Sequence, residues 1–120
     1  MSSPTDAHYR WFLEDGVAIV EITSGELNNP TLAKEFGDQL RALVESRPAD
    51  RMLLNFSQTK YMSSTAFAAL FELSRASRSA NIQLAVCAMQ NEVRIGADIL
   101  NLGLYIPIYD DEPTARLALA

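Results

Sequence analysis

The residues best placed to do chemistry are Ser63-Ser64-Thr65, three consecutive hydroxyls directly ahead of the apolar positions Ala66, Phe67 and Leu70. Hydroxyls in such a place can cap a helix N-terminus, accept a phosphoryl group, or attack as a nucleophile. The nucleophile needs a base and a sharp turn. A serine hydrolase presents its serine on a Gly-x-Ser-x-Gly elbow beside a histidine, but Met62 and Ala66 fill the two glycine positions around Ser64, and His8 is the only histidine. On residue chemistry alone, capping is the first reading of Ser64. Ser63 and Thr65 could each cap or accept phosphate if the register differs by one.

Other chemistries find less support. His, Cys and carboxylates do not cluster at metal-ligand spacing, and no glycine-rich loop is present to cradle a phosphate, so neither a metal nor a cofactor is expected. Cys87, between Val86 and Ala88, reads as a core residue rather than a redox sensor. Trp11 reads as packing and His8 as part of a tail. Asn28 and Asn29 read as turn and cap residues, with Asn28 alternatively lining the same surface as Ser64.

The 120 residues, 48% of them hydrophobic, suit a single domain with one core. Fifteen acidic against ten basic residues give a net charge of −5, which leaves no basic face for nucleic acid. One unpaired cysteine and a start, MSSPTDAHYRW, without a signal-peptide pattern predict a reducing, cytoplasmic compartment. Every apolar run is interrupted by polar residues, so membrane insertion is not expected. Residues 1–8 are expected to form a flexible arm and residues 9–120 the domain.

The elements that must position the hydroxyl run follow from periodicity and punctuation. Tyr9 to Leu13 and Val17 to Ile22 read as a hairpin around Glu14-Asp15-Gly16. Asn29-Pro30 opens a helix with Leu32, Phe36, Leu40 and Leu43 on one face, stopped by Pro48. Met52 to Phe56 reads as an interior strand. A second helix starts near Ser63 or Ser64, presents Phe67, Leu70, Phe71 and Ser74, packs closely through Ala66, Ala68 and Ala69, and stops at Asn81. Ile82 to Cys87 is a strand. Asn91 to Leu102 is a third helix with Val93, Ile95, Ile99 and Leu102 as buried candidates, ending at Gly103. Ile106 to Tyr109 is an edge strand, and Asp111 to Ala120 a terminal helix. The order ββαβαβαβα predicts an α/β fold, a mixed, mostly parallel sheet with helices packed around it.

Within that frame, LNFSQTKYMSSTAFAAL (residues 54–70) resembles the signature segment of STAS domains, the fold of bacterial anti-sigma-factor antagonists. Gly25-Glu26-Leu27-Asn28-Asn29-Pro30-Thr31, Gln83 to Cys87 and Gly103-Leu104 are similar to further segments of that family, in its order and near its spacings. The resemblance places Ser64 on the phosphorylatable serine. It implies a partner surface of Asn28, Asn29, Met62, Ser63, Ser64 and Thr65. It also implies a cycle in which an anti-sigma factor with serine-kinase activity binds and phosphorylates the protein and a phosphatase resets it, with catalysis in the partners. The chain departs from the family pattern at Asn28 and Ser63, where acids are usual, and at Ala66, where glycine is usual. Two negative charges are thereby missing near Ser64. The alternatives are a non-phosphorylated scaffold, as a regulatory subunit of a transporter or a stressosome-like assembly, and a small-ligand sensor.

Overall fold

A computed structural model describes residues 8–120 of the chain; of the expected arm, 1–8, all but His8 lies outside the described residues. Strands β1 (Tyr9–Glu14) and β2 (Val17–Ile22) form the antiparallel hairpin. Asp15 and Gly16 both take positive φ, 52° and 77°, as a two-residue turn that follows strand twist requires. A short strand β3 (Glu26–Leu27) leads into helix α1 (Pro30–Glu45), and β4 (Arg51–Asn55) follows. A second short strand, β5 (Tyr61–Met62), leads into α2 (Ser64–Ser79). The chain continues as β6 (Gln83–Cys87), α3 (Asn91–Ile99), a 3-10 turn (Leu102–Leu104), β7 (Ile108–Tyr109) and α4 (Glu112–Leu119).

The main sheet has the order β1-β2-β4-β6-β7, with β2, β4, β6 and β7 parallel. Its central strands alternate between two cores. Ala18, Val20, Ile22, Met52, Leu54, Leu84 and Val86 face α1, α2 and α3. Val17, Ile19, Leu53, Ala85 and Cys87 face Ala115 and Leu119 of α4. Burial on both faces is why these strands read as nearly continuous apolar runs. The expected alternation of strands and helices is present, with two additions. β3 and β5, of two residues each, pair in parallel as a separate small sheet.

Three expectations are corrected. The third helix ends at Ile99 rather than Leu102, because Asn101 adopts φ 57° and turns the chain. Its buried positions are Val93 and Ala97, while Ile95 and Ile99 are 51% and 73% exposed. Phe67 explains the choice of face: its ring lies so close to Gly96 that a Cβ there would sit 2.9 Å from Cε2, so α3 must turn its small residues inward. His8 is buried rather than part of a loose tail. Its amide donates to Gln39 Oε1 at 2.8 Å, its Nδ1 pairs with Ser24 Oγ, its Nε2 lies 3.3 Å from Glu35 Oε1, and its ring meets the Phe36 ring edge-on.

Candidate functional site

The small sheet of β3 and β5 builds the site. Its register pairs Glu26 with Tyr61 and Leu27 with Met62. The Lys60 amide donates to Gly25 O at 2.7 Å, the Ser63 amide to Leu27 O at 2.8 Å, and Thr59 Oγ1 to Ser24 O at 2.9 Å. These bonds tie the segment entering α1 to the segment entering α2, so the two helices begin side by side beyond the carboxyl end of the central strand β4. In open α/β sheets this end of the strands is where sites gather.

Each helix is capped by the residue just before it. Asn29 Oδ1 accepts from the Leu32 amide at 2.9 Å, and Ser63 Oγ accepts from the Ala66 amide at 3.3 Å. Ser63 therefore holds the cap, and Ser64, at the first helical position, does not. Ser64 and Thr65 are exposed, and their hydroxyls hydrogen-bond to no other described residue. Neither α1 nor α2 has an acidic residue in its first turn. Neither positive helix end is thus compensated by an acid of its own first turn, and at α2 that setting favours an anion added on Ser64.

Asn28 is exposed next to the Asn29 cap, and Ser63 is half-buried. Met62 differs from expectation. Its side chain is buried in the main core, so it supports the site from beneath and is not part of the surface.

Sequence reading missed the groove that runs from Thr65 between α1 and α2. It measures about 300 Å³, with Ala33, Gly37, Ala68 and Ala69 along its floor. A Cβ on Gly37 would lie 3.0 Å from that of Ala69, so small residues set how closely the helices approach. Ala68 and Ala69 therefore face α1 and solvent, and only Ala66 of the three packs fully inward. The rim carries two ion pairs, Lys34–Asp38 at 2.8 Å and Arg41–Glu72 at 3.4 Å. The Asp38 carboxylate holds the Lys34 ammonium above its ordinary pKa. The signal for the groove was present as Ala33 and Gly37, four residues apart on one helix face.

Among the described residues, no group of three or more His, Cys, Asp and Glu could hold a metal ion, and no helix is long and apolar enough to cross a membrane. Cys87 is buried in the core between the central strands and α4, with Val17, Ile19, Leu53, Ala85, Ala115 and Leu119. Burial, with the Glu112 and Asp111 charges, pushes its thiol up to about 12.

The family model of the STAS domain matches residues 14–115. The chain belongs to the STAS domain family. A search of curated protein sequences returns no match. Among solved structures, this STAS domain is similar to an anti-sigma factor antagonist from Mycobacterium paratuberculosis, with TM-score 0.80 at 19% identity, covering 98% of this chain and 97% of that one. It is also similar to the Bacillus anti-sigma factor antagonist SpoIIAA. For the unphosphorylated form the TM-score is 0.71 at 11% identity, with 93% and 97% of the chains covered. For the phosphorylated form it is 0.65 at 13%, with 93% and 99% covered. The murine anion transporter Slc26a9 contains a similar fold, with TM-score 0.65 at 16% identity over 85% of this chain and 17% of that one.

Proposed function

We propose that this STAS domain is an anti-sigma-factor antagonist that binds an anti-sigma factor with serine-kinase activity and is switched off by phosphorylation of Ser64. The observation that carries this reading is the division of labour between neighbouring serines: Ser63 holds the cap, which leaves Ser64 exposed and free for modification. The partner surface comprises Asn28, Asn29, Ser63, Ser64 and Thr65, continued by the groove between α1 and α2. The kinase would transfer the terminal phosphoryl group of ATP to Ser64 Oγ, the hydroxyl proton passing to a base of the kinase. A phosphatase would hydrolyse the ester, and this chain would supply no catalytic group.

A phosphoserine carries a charge of about −1.5 to −2 and, at a helix N-terminus, gains about 0.3–1 kcal/mol. Modification should therefore leave the fold intact. A partner packed over the same spot would have to desolvate the phosphate, so binding is lost while structure survives. Existence of the SpoIIAA fold in both phosphorylated and unphosphorylated forms supports this separation. Thr65, at the mouth of the groove, and Ser63 are the secondary acceptors.

The test is phosphosite mapping of the native protein, together with binding of a serine-kinase anti-sigma factor to wild type, Ser64→Ala and Ser64→Asp. The switch predicts phosphate on Ser64 and loss of binding only for Ser64→Asp. The second reading is a non-phosphorylated scaffold or transporter regulatory subunit. It draws on the similar fold within Slc26a9 and on the neutral Asn28 and Ser63. Equal binding by all three proteins, with no phosphate on residues 63–65, would favour that second reading.

A further inference from the structure

The outer edge of the main sheet presents an unusual strand. β1 ends the strand order, with no described strand on its far side. Its central residues Trp11, Phe12 and Leu13 are 39%, 40% and 57% exposed. An edge strand with apolar side chains on both faces is a template for pairing, and proteins usually blunt such edges with charge or proline.

The backbone of β1 is set for a partner. Glu14 and Val17 flank the two-residue turn, and the Thr23 amide donates to His8 O at 2.8 Å. The even-numbered residues therefore spend their N–H and C=O groups on β2, and those of Tyr9, Trp11 and Leu13 point away from the sheet.

The side chains identify the occupant. Arg10-Trp11-Phe12-Leu13-Glu14 is self-complementary when reversed on itself. We propose that β1 pairs antiparallel with β1 of a second copy about a two-fold axis at Phe12, joining two five-stranded sheets into one. Trp11 then exchanges two hydrogen bonds with Leu13 of the other copy, and symmetry doubles them. Phe12 meets its own equivalent at the axis. Arg10 lies opposite Glu14 of the other copy in a non-hydrogen-bonded pair, where side chains come closest. Both charges are available on this face. Arg10 donates through Nε to Glu21 at 2.7 Å, leaving its terminal nitrogens, and Arg116 contacts only Oε2 of Glu14, at 2.8 Å.

One short strand per copy makes an interface below the ~1,600 Å² of a standard stable complex, so the association depends on concentration. The proposal is independent of Ser64 and its modification.

Sedimentation equilibrium from micromolar to millimolar protein tests it with three variants, each checked for wild-type circular dichroism. Wild type is expected to show a monomer–dimer equilibrium. Trp11→Lys/Leu13→Lys sets like charges opposite each other in both symmetric pairs and should weaken the dimer at least tenfold. Trp11→Lys/Leu13→Glu sets opposite charges there and should restore a dimer that salt weakens. In Phe12→Cys, Cβ atoms about 4.5–5.5 Å apart across the axis are close enough for an intermolecular disulfide after small adjustment. A monomer at millimolar concentration, a dimer indifferent to the double lysine variant, or failure of both the Lys/Glu rescue and the disulfide would each overturn the proposal.

Discussion

The Ser63 amide donates to the carbonyl of Leu27 at 2.8 Å, while the Ser63 hydroxyl accepts from Ala66 at 3.3 Å. One residue thus fixes where α2 begins and where that start lies relative to α1. Its neighbour Ser64 takes part in neither task.

This division predicts opposite outcomes for adjacent substitutions. Ser63→Ala should lower unfolding free energy by about 1 kcal/mol, the usual cost of a lost serine cap. Ser64→Ala should stay within about 0.5 kcal/mol of wild type, as surface substitutions do. Urea denaturation of both variants decides the matter. The reverse ranking would move the cap to Ser64 and remove the main argument for its availability.

Gly96 supplies a second prediction, against helix propensity. Replacing a helix-interior glycine with alanine ordinarily gains about 1 kcal/mol. Here the added methyl would sit 2.9 Å and 3.1 Å from Cε2 and Cζ of Phe67, and overpacking of this kind costs about 1–3 kcal/mol. Gly96→Ala should therefore be net destabilising. The same change in a Phe67→Leu background should cost less, giving a coupling above about 0.5 kcal/mol in a double-mutant cycle.

Local chemistry made much of this legible in sequence. Asp15-Gly16 marked its turn, Asn29-Pro30 its helix start, and Asn81, at φ 59°, the end of α2. β3 and β5 were not legible, because two residues carry no period and their pairing joins positions 35 apart in the chain. Ile95 and Ile99 misled because large aliphatics suggest an inward face, whereas the bulk of Phe67 demands small residues there. At the site, the hydroxyl run and its helix start were readable. Which serine caps depends on a one-residue register that the sequence Ser63-Ser64 leaves open, and the inward turn of Met62 depends on the β3–β5 pairing.

His8 should behave as a structural residue. His8→Ala removes the contacts to Ser24 and Glu35 and the ring packing on Phe36. Losing partners at a buried position costs about 1–3 kcal/mol. Hydrogen exchange at the Thr23 amide, bonded to His8 O, should quicken as residue 8 loses its anchoring. An unchanged denaturation midpoint with unchanged Thr23 protection would instead describe residue 8 as dispensable to the fold.

Cys87 ties stability to alkaline pH. Burial first, then the Glu112 and Asp111 charges, raises its pKa from 9.0 to about 12, so the folded protein holds the neutral thiol. The unfolded chain ionises near the ordinary value, and the folded chain ionises only near the raised one. This contribution to stability is fully present below about pH 9 and is lost as pH rises towards 12, because the unfolded state gives up its proton first. Other groups titrate in the same window, so Cys87→Ala isolates the thiol. The wild-type-minus-variant difference in unfolding free energy should be flat from pH 6 to about pH 8 and fall steadily above about pH 9. A thiol reagent should label native Cys87 only at the rate of opening. Rapid labelling at neutral pH, or a difference that stays flat to pH 11, would show instead that the thiol ionises in the folded state as readily as in the unfolded one.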